Sequence, residues 1–235
     1  MPVPVVRRMM GRRLRPGEAP DQFAEPARLR AGGAVAGLAV SALALALAPL
    51  LMPPSCSWVA QTTSESAGQG VAGAWLARGA FLLFGTVVVL IAALARGRWG
   101  RWGAGLHTAF GVSMVAAGAF SARAWDERLP FSQLEDLLHS VAATAMGFAF
   151  ALGVAFVALE RWKQHRAWRL IDLAAVTASV ALPLAMATAT DLAGLFQRAM
   201  FLVAYLWYGL EAAEAGGRSD VCHGERPRPT PWFRS

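Results

Sequence analysis

The sequence predicts an all-α fold, a polytopic membrane helix bundle of six transmembrane helices with both termini cytoplasmic. Three observations predict it. Only 16% of the 235 residues are charged while 56% are hydrophobic, against about 25% charged in a typical soluble domain. The apolar residues collect into runs of about 20, the length a helix needs to cross roughly 30 Å of hydrocarbon. The basic residues gather at alternate ends of those runs, which is the asymmetry that orients helices in a bilayer.

The runs cover about 31–52, 72–95, 102–122, 137–159, 168–190 and 192–211. Together they define a six-span membrane domain over 31–212, between a basic cytoplasmic tail at 1–30 and a Pro/Arg-rich cytoplasmic tail at 213–235. The first run exceeds the roughly 7–15 residues of a signal-peptide core and has thirty residues ahead of it, so it reads as a retained anchor. Gly33, Gly37 and Ser41 recur along it at helical spacing, as do Gly111 and Gly118 on the third run and Ala143, Gly147 and Ala151 on the fourth. Lipid tails are as apolar as leucine, so small residues that let backbones approach are what membrane helices pack on. The last two runs are separate spans. A single helix over 168–211 would be about 66 Å long at 1.5 Å per residue, twice the hydrocarbon thickness. A turn at Thr190 and Asp191 divides them, with Asp191 placed to cap the following helix.

Seven arginines precede the first span (Arg7, Arg8, Arg12, Arg13, Arg15, Arg28 and Arg30), and Arg96, Arg98 and Arg101 fill the second connection. The fourth connection holds Arg161, Lys163, Arg166 and Arg169, and the C-terminal tail holds Arg218, Arg226, Arg228 and Arg234. The odd-numbered connections carry only Arg123 and Arg128. Both termini are therefore expected in the cytoplasm, in a multi-pass protein of the cell membrane. A net charge of +7 would suggest nucleic acid in a soluble protein, but here the charge is topological. With Lys163 the sole lysine and alanine dominating the apolar runs, the composition points to a GC-rich bacterial genome. Cys56 and Cys222 stand far apart and form neither a CxxC pair nor a metal cluster.

Ionisable residues near a membrane span are expensive and are functional candidates. Most collect on the external side. Ser64 and Glu65 precede the second span, Arg78 lies two turns into it, Asp126 and Glu127 follow the third, Asp136 and His139 open the fourth, and Asp191 and Arg198 open the sixth. Asp136 and His139 are three residues apart on one helix face, the spacing in which a carboxylate orients a histidine base. Arg78 and Arg198 would take a phosphate or carboxylate head group, or else pair with Glu65, Asp136 or Asp191. His107 and His139 each share a small-residue stripe but at opposite ends of their spans, so they cannot hold one metal ion or haem between them; a hydrogen bond to a neighbouring helix is expected for His107. Asp172, beside Arg169, reads as a helix-end pair.

The segments CSWVAQTTSESAGQGVAGAWLARGAFLLFG, GLHTAFGVSMVAAGAFSA, HSVAATAMGFAFALGV and DLAGLFQR resemble the bacterial domain-of-unknown-function 998 family of six-span membrane proteins. The resemblance covers roughly 31–212 and touches Ser64, Glu65, Arg78, His139 and Arg198. SARAWDERLP stands where such proteins often have a proline-aspartate pair, which leaves Asp126 without a counterpart. The family name implies no activity and no cofactor.

Three functions are compatible with these residues. One is binding or moving a membrane lipid or small amphiphilic ligand at the external cluster, which consists of Ser64, Glu65, Arg78, Asp136, His139, Asp191 and Arg198. Another is a membrane-embedded hydrolase or transferase acting on a lipid head group, with His139 as base and Asp136 as its partner. The last is a scaffold whose cluster is all salt bridges. No phosphate-binding loop, GxSxG elbow or HExxH occurs.

Overall fold

The computed structural model describes residues 21–167 and 169–217. The arginines of 1–20, Cys222 and the Pro/Arg-rich tail lie outside the described residues. All regular structure among the described residues is helical: α1 (Asp21–Leu47), the single turn α2 (Thr63–Ser66), α3 (Ala74–Ala119), α4 (Gln133–Lys163), α5 (Leu170–Thr188) and α6 (Ala193–Gly217), with 3-10 turns at Ala48–Leu51 and Thr190–Leu192. α1 starts ten residues before the hydrophobic run and α4 extends a turn beyond its run at each end. Hydropathy marks where lipid would begin, whereas a helix continues as far as its backbone hydrogen bonds do.

Four helices, three of them α3, α4 and α5 and the other at Arg28–Leu51, are long and apolar enough to cross a membrane. α3 has 46 residues, about 69 Å if straight, and it is not straight. Gly100 interrupts it at φ 69°, ψ 171°, a backbone conformation that suits glycine, which has no Cβ to clash. The chain folds back there, and the halves 74–99 and 101–119 pack on each other. Gly85 and Gly111 meet at this seam; a Cβ on Gly111 would stand 2.6 Å from the Gly85 carbonyl. The predicted second connection, 96–101, is thus a one-residue break.

α1 packs on α3 and α6, and α4 and α5 close the other side. Ser41 of α1 donates to the Ala80 carbonyl at 2.7 Å and shares a hydrogen bond with the Tyr205 hydroxyl at 2.7 Å. Phe84, Phe110, Phe150, Trp207 and Tyr208 form a continuous aromatic core. α5 is the most exposed of the four apolar helices, with only Asp172 and Ala175 buried. The expected stripe on α4 is corrected by the structure. A Cβ on Gly147 would meet nothing within 4 Å; this glycine faces a cavity, and α4 approaches its neighbours instead at Gly153, where a Cβ would meet the His107 ring at 2.8 Å.

Candidate functional site

The polar residues form two layers, one at each end of the bundle. The first surrounds α2. Thr62 and Glu65 make a reciprocal capping box, with the Thr62 amide donating to Glu65 Oε2 at 2.8 Å and the Glu65 amide to Thr62 Oγ1 at 3.1 Å, so two orphan amides of the turn are satisfied. Gln197 of α6 accepts from the Thr63 amide at 2.6 Å and from the Thr63 hydroxyl, and its Nε2 donates to Ser64 Oγ at 3.3 Å. At the other end of α2, Arg78 donates from Nε to the Ala67 carbonyl and from Nη2 to the Gly68 carbonyl, both at 2.8 Å. The amides of Gly194 and Leu195, at the start of α6, donate to the carbonyls of Ala60 and Val59, and Arg198 Nη1 donates to the Gln61 carbonyl at 2.9 Å and to Gly194 at 3.0 Å. Side chains here neutralise the backbone of an irregular connection, as membrane-edge backbone requires.

The same accounting applies to the 120–132 connection. Gln69 donates to the Ser121 and Ser132 carbonyls and accepts from the Ser132 amide at 2.6 Å. Asp136 accepts from the Arg123 amide at 2.7 Å. His139, 4% exposed, points Nδ1 at the carbonyls of Ala117 and Phe120, each at 2.9 Å. Carbonyls only accept, so Nδ1 carries the proton and His139 caps the end of α3.

Several expectations are corrected by these contacts. Asp136 does not orient His139, because it is turned to the Arg123 amide. Glu65, Asp136 and Asp191 are not counter-charges of Arg78 and Arg198, whose partners are carbonyls. Asp191 does not cap α6: it is exposed and makes no hydrogen bond or ion pair with the described residues, and carbonyl acceptors from Val59 and Ala60 take the amides it was expected to satisfy. Ser64, Glu65 and Arg78 are drawn together around α2, while His139 and Asp136 belong to the neighbouring connection. Among the described residues no group of three His, Cys, Asp or Glu is placed to hold a metal ion.

The second layer was not legible as a site. Arg161, Asp172 and Glu211 are each no more than 1% exposed. Arg161 reaches Asp172 at 2.7 Å with one nitrogen and Glu211 with another. Glu211 also accepts from Arg169, from Arg98 at 2.9 Å and from the Trp99 indole at 2.6 Å. Asp172 accepts from Arg169 at 3.2 Å and from the Trp207 indole at 2.9 Å, and Glu214 pairs with Arg166 and Arg169. Next to it His107 packs against both the Trp99 and Trp207 rings, 4.6 Å from each, with Nδ1 hydrogen-bonded to the Tyr208 hydroxyl at 2.8 Å, which is the neighbouring-helix bond expected of it. Arg98 and Arg161 read in the sequence only as topological charges, and Arg169 also as the helix-end partner of Asp172, which it is; together the three arginines join four helices. The signal available in the sequence was the trio of acids Asp172, Glu211 and Glu214 at the basic ends of two spans.

Two cavities border α6. A groove of about 550 Å³ between α1 and α6 is walled by Leu45, Ala46, Leu50, Phe201 and Tyr205 and headed by Trp58 and Arg198. Arg198 makes no ion pair with the described residues, and its Nη2 is buried without a hydrogen-bond partner among them. A smaller cavity of about 70 Å³ lies between α3, α4, α5 and α6.

Apolar membrane-length helices, with polar groups gathered at the two ends of the bundle, define an all-helical integral membrane protein. The chain belongs to the family described as protein of unknown function (DUF998), whose model matches residues 35–214, as the resemblance in its sequence implied. No curated protein and no solved structure matches it.

Proposed function

We propose that the protein binds an anionic amphiphile of the membrane in the α1–α6 groove, with Arg198 holding the head group. The observation that carries this reading is an arginine bonded only to backbone carbonyls, with no acidic partner among the described residues, at the head of an apolar groove of about 550 Å³. A guanidinium offers fork-shaped donors that match a carboxylate or phosphate, and Arg198 spends only Nη1 on backbone. Below it the groove wall is apolar, suited to an alkyl chain. The ligand site is thereby narrowed from the whole external cluster to Arg198; Ser64, Glu65, Arg78, Asp136 and His139 shape the loops beside it. Catalysis by His139 draws no support from the geometry, since Asp136 serves Arg123.

In this reading the membrane domain 31–212 crosses six times, through α1, the two halves of α3, α4, α5 and α6, and both termini are cytoplasmic in a bacterial cell membrane. Exposed tryptophans support two interfacial belts: Trp58 and Trp75 beside α2, Trp102 and Trp162 at the opposite end. Arg96, Arg98, Arg101, Lys163 and Arg166 accompany the second pair, which supports a cytoplasmic position for that end. The groove then opens toward the outer leaflet.

The test is native mass spectrometry of protein purified from its own membrane. Wild type should carry an anionic amphiphile that Arg198→Gln and the groove-filling Leu45→Trp both lose while remaining folded, with Arg198→Gln melting somewhat lower for the loss of its carbonyl bonds. Equal retention by well-folded Arg198→Gln would refute the assignment.

A further inference from the structure

Resting on that reading, we propose that the groove continues past Phe201 into the second cavity, and that this cavity receives the tail of a single-chain anionic amphiphile. Phe201 is then a gate between a head-group compartment and a tail compartment.

The argument starts from α6. Arg198, Leu202 and Tyr205 line the groove, whereas Gln197, Met200 and Ala204 line the second cavity. Each set follows the spacing of one helical stripe. Phe201 stands one turn from both Gln197 and Arg198, and it lines both spaces. The two stripes cover the same stretch of helix, about 10 Å at 1.5 Å per residue, so the compartments lie side by side at one depth. Phe201 is the residue that lines both, 9% exposed, stacked on Phe81 at 5.5 Å with the planes 9° apart and packed on Phe84 at 6.3 Å and Tyr205 at 6.4 Å. No hydrogen bond holds a phenyl ring, and its swing costs only ring and packing contacts.

The second cavity is built to change shape. At about 70 Å³ it is several times the roughly 10–15 Å³ that one water-sized group requires. Met114, Met146 and Met200 line it, and unbranched methionines refit to irregular occupants. Ala178 and Ser179 supply its α5 wall, on the helix with the fewest buried residues. Pro183 of that helix has no N–H to donate to the Ser179 carbonyl one turn back, so this wall lacks one helical hydrogen bond. Because the compartments share a single wall residue, the opening made by moving it is one ring wide. Such an opening admits one unbranched chain and excludes a diacyl pair.

The experiment uses the full chain in lipid nanodiscs and three 16-carbon probes with a diazirine at the chain end: a carboxylate, a phosphate monoester and a neutral alcohol. After photolysis, adducts are mapped by peptide mass spectrometry. At least one anionic probe should mark Met114 or 146–150, and Phe201→Trp should cut that labelling at least fivefold while shifting adducts to 42–50. If anionic adducts lie only along 42–50 and 202–205 in wild type, the tail compartment is wrong and the groove reading stands. Equal labelling of the groove by the alcohol, or anionic labelling unchanged in Arg198→Gln, sinks the groove reading itself and the compartment with it.

Discussion

Trp207 of α6 donates its indole N–H to the Asp172 carboxylate of α5 at 2.9 Å, and this contact fastens the most exposed of the apolar helices to the bundle. Asp172 is also the acceptor for Arg161 and Arg169. The helix otherwise buries Ala175 and packs the half-buried Ile171 and Val176 on the core, so Asp172 is its one buried polar anchor.

Asp172→Asn should therefore be severe. Arg161, 1% exposed, would keep Glu211 but lose half of its compensation, and breaking a buried pair from one side costs about 3–5 kcal/mol. A large drop in melting temperature in detergent is expected. The exposed pair Asp126–Arg128 is the control: its hydrogen bonds hold the Asp126 carboxyl below the usual carboxylate range, yet Asp126→Asn should leave the melting temperature unchanged, because water screens both groups. Equal effects would show that the buried layer is not what holds α5.

Glycine placement gives a second contrast. On Gly111 a Cβ would stand 2.6 Å from the Gly85 carbonyl and 2.7 Å from a Val89 methyl, so Gly111→Ala should cost about 1–3 kcal/mol through overpacking. Gly147→Ala meets open space and removes backbone freedom from the unfolded chain, so it should be neutral or slightly stabilising. Thermal melts of the two variants decide the matter, and the reverse order would contradict the seam.

Why these two glycines differ was not readable from spacing alone. Gly111 and Gly147 both sit in small-residue stripes, and alanine is so frequent here that such stripes arise by chance. The apolar runs and the arginine asymmetry were legible because they depend on composition averaged over about 20 residues. The partners of Arg78 and Arg198 were not, since a sequence displays side chains and hides the backbone carbonyls that α2 and the turn before α6 leave unpaired. Ser64, Glu65 and Arg78 were grouped as ligand candidates, and the contacts they make around α2 are to one another's loop backbone, to Thr62 and to Gln197. Glu211 was missed because it ends a hydrophobic run, where an acid reads as solvent-exposed until the fold brings Arg98, Arg161 and Arg169 onto it.

Cys56 tests the orientation. It is a free, half-buried thiol in the connection before α2, and burial raises its pKa against an opposing hydrogen bond from Ser66. The thiolate is the reactive form, and a raised pKa means less of it at neutral pH. An impermeant maleimide should label Cys56 in intact cells slowly, with a rate that keeps climbing above the ordinary thiol range near pH 8.5. Cys222 should react only after permeabilisation. Labelling of Cys222 in sealed cells would reverse the proposed topology.

Arg78 distinguishes backbone capping from ion pairing. Both of its bonds go to carbonyls at the end of α2, and Arg78→Met keeps the apolar stem while removing the donors. Two carbonyls of buried residues would then lack partners, at about 1–3 kcal/mol each before water reaches them. The connection at 52–73 should loosen, visible as faster Cys56 labelling and a lower melting temperature. A second change at an acid, Glu65→Gln or Asp136→Asn, should not restore stability, because neither carboxylate faces Arg78; Glu65→Gln should leave the capping box with Thr62 in place, since glutamine accepts from the same amide. Arg78→Lys should recover only part of the effect, since one ammonium cannot reproduce the fork that reaches Ala67 and Gly68 together. Rescue of Arg78→Met by either acid substitution would mean that the arginine answers to a charge and not to the backbone of α2.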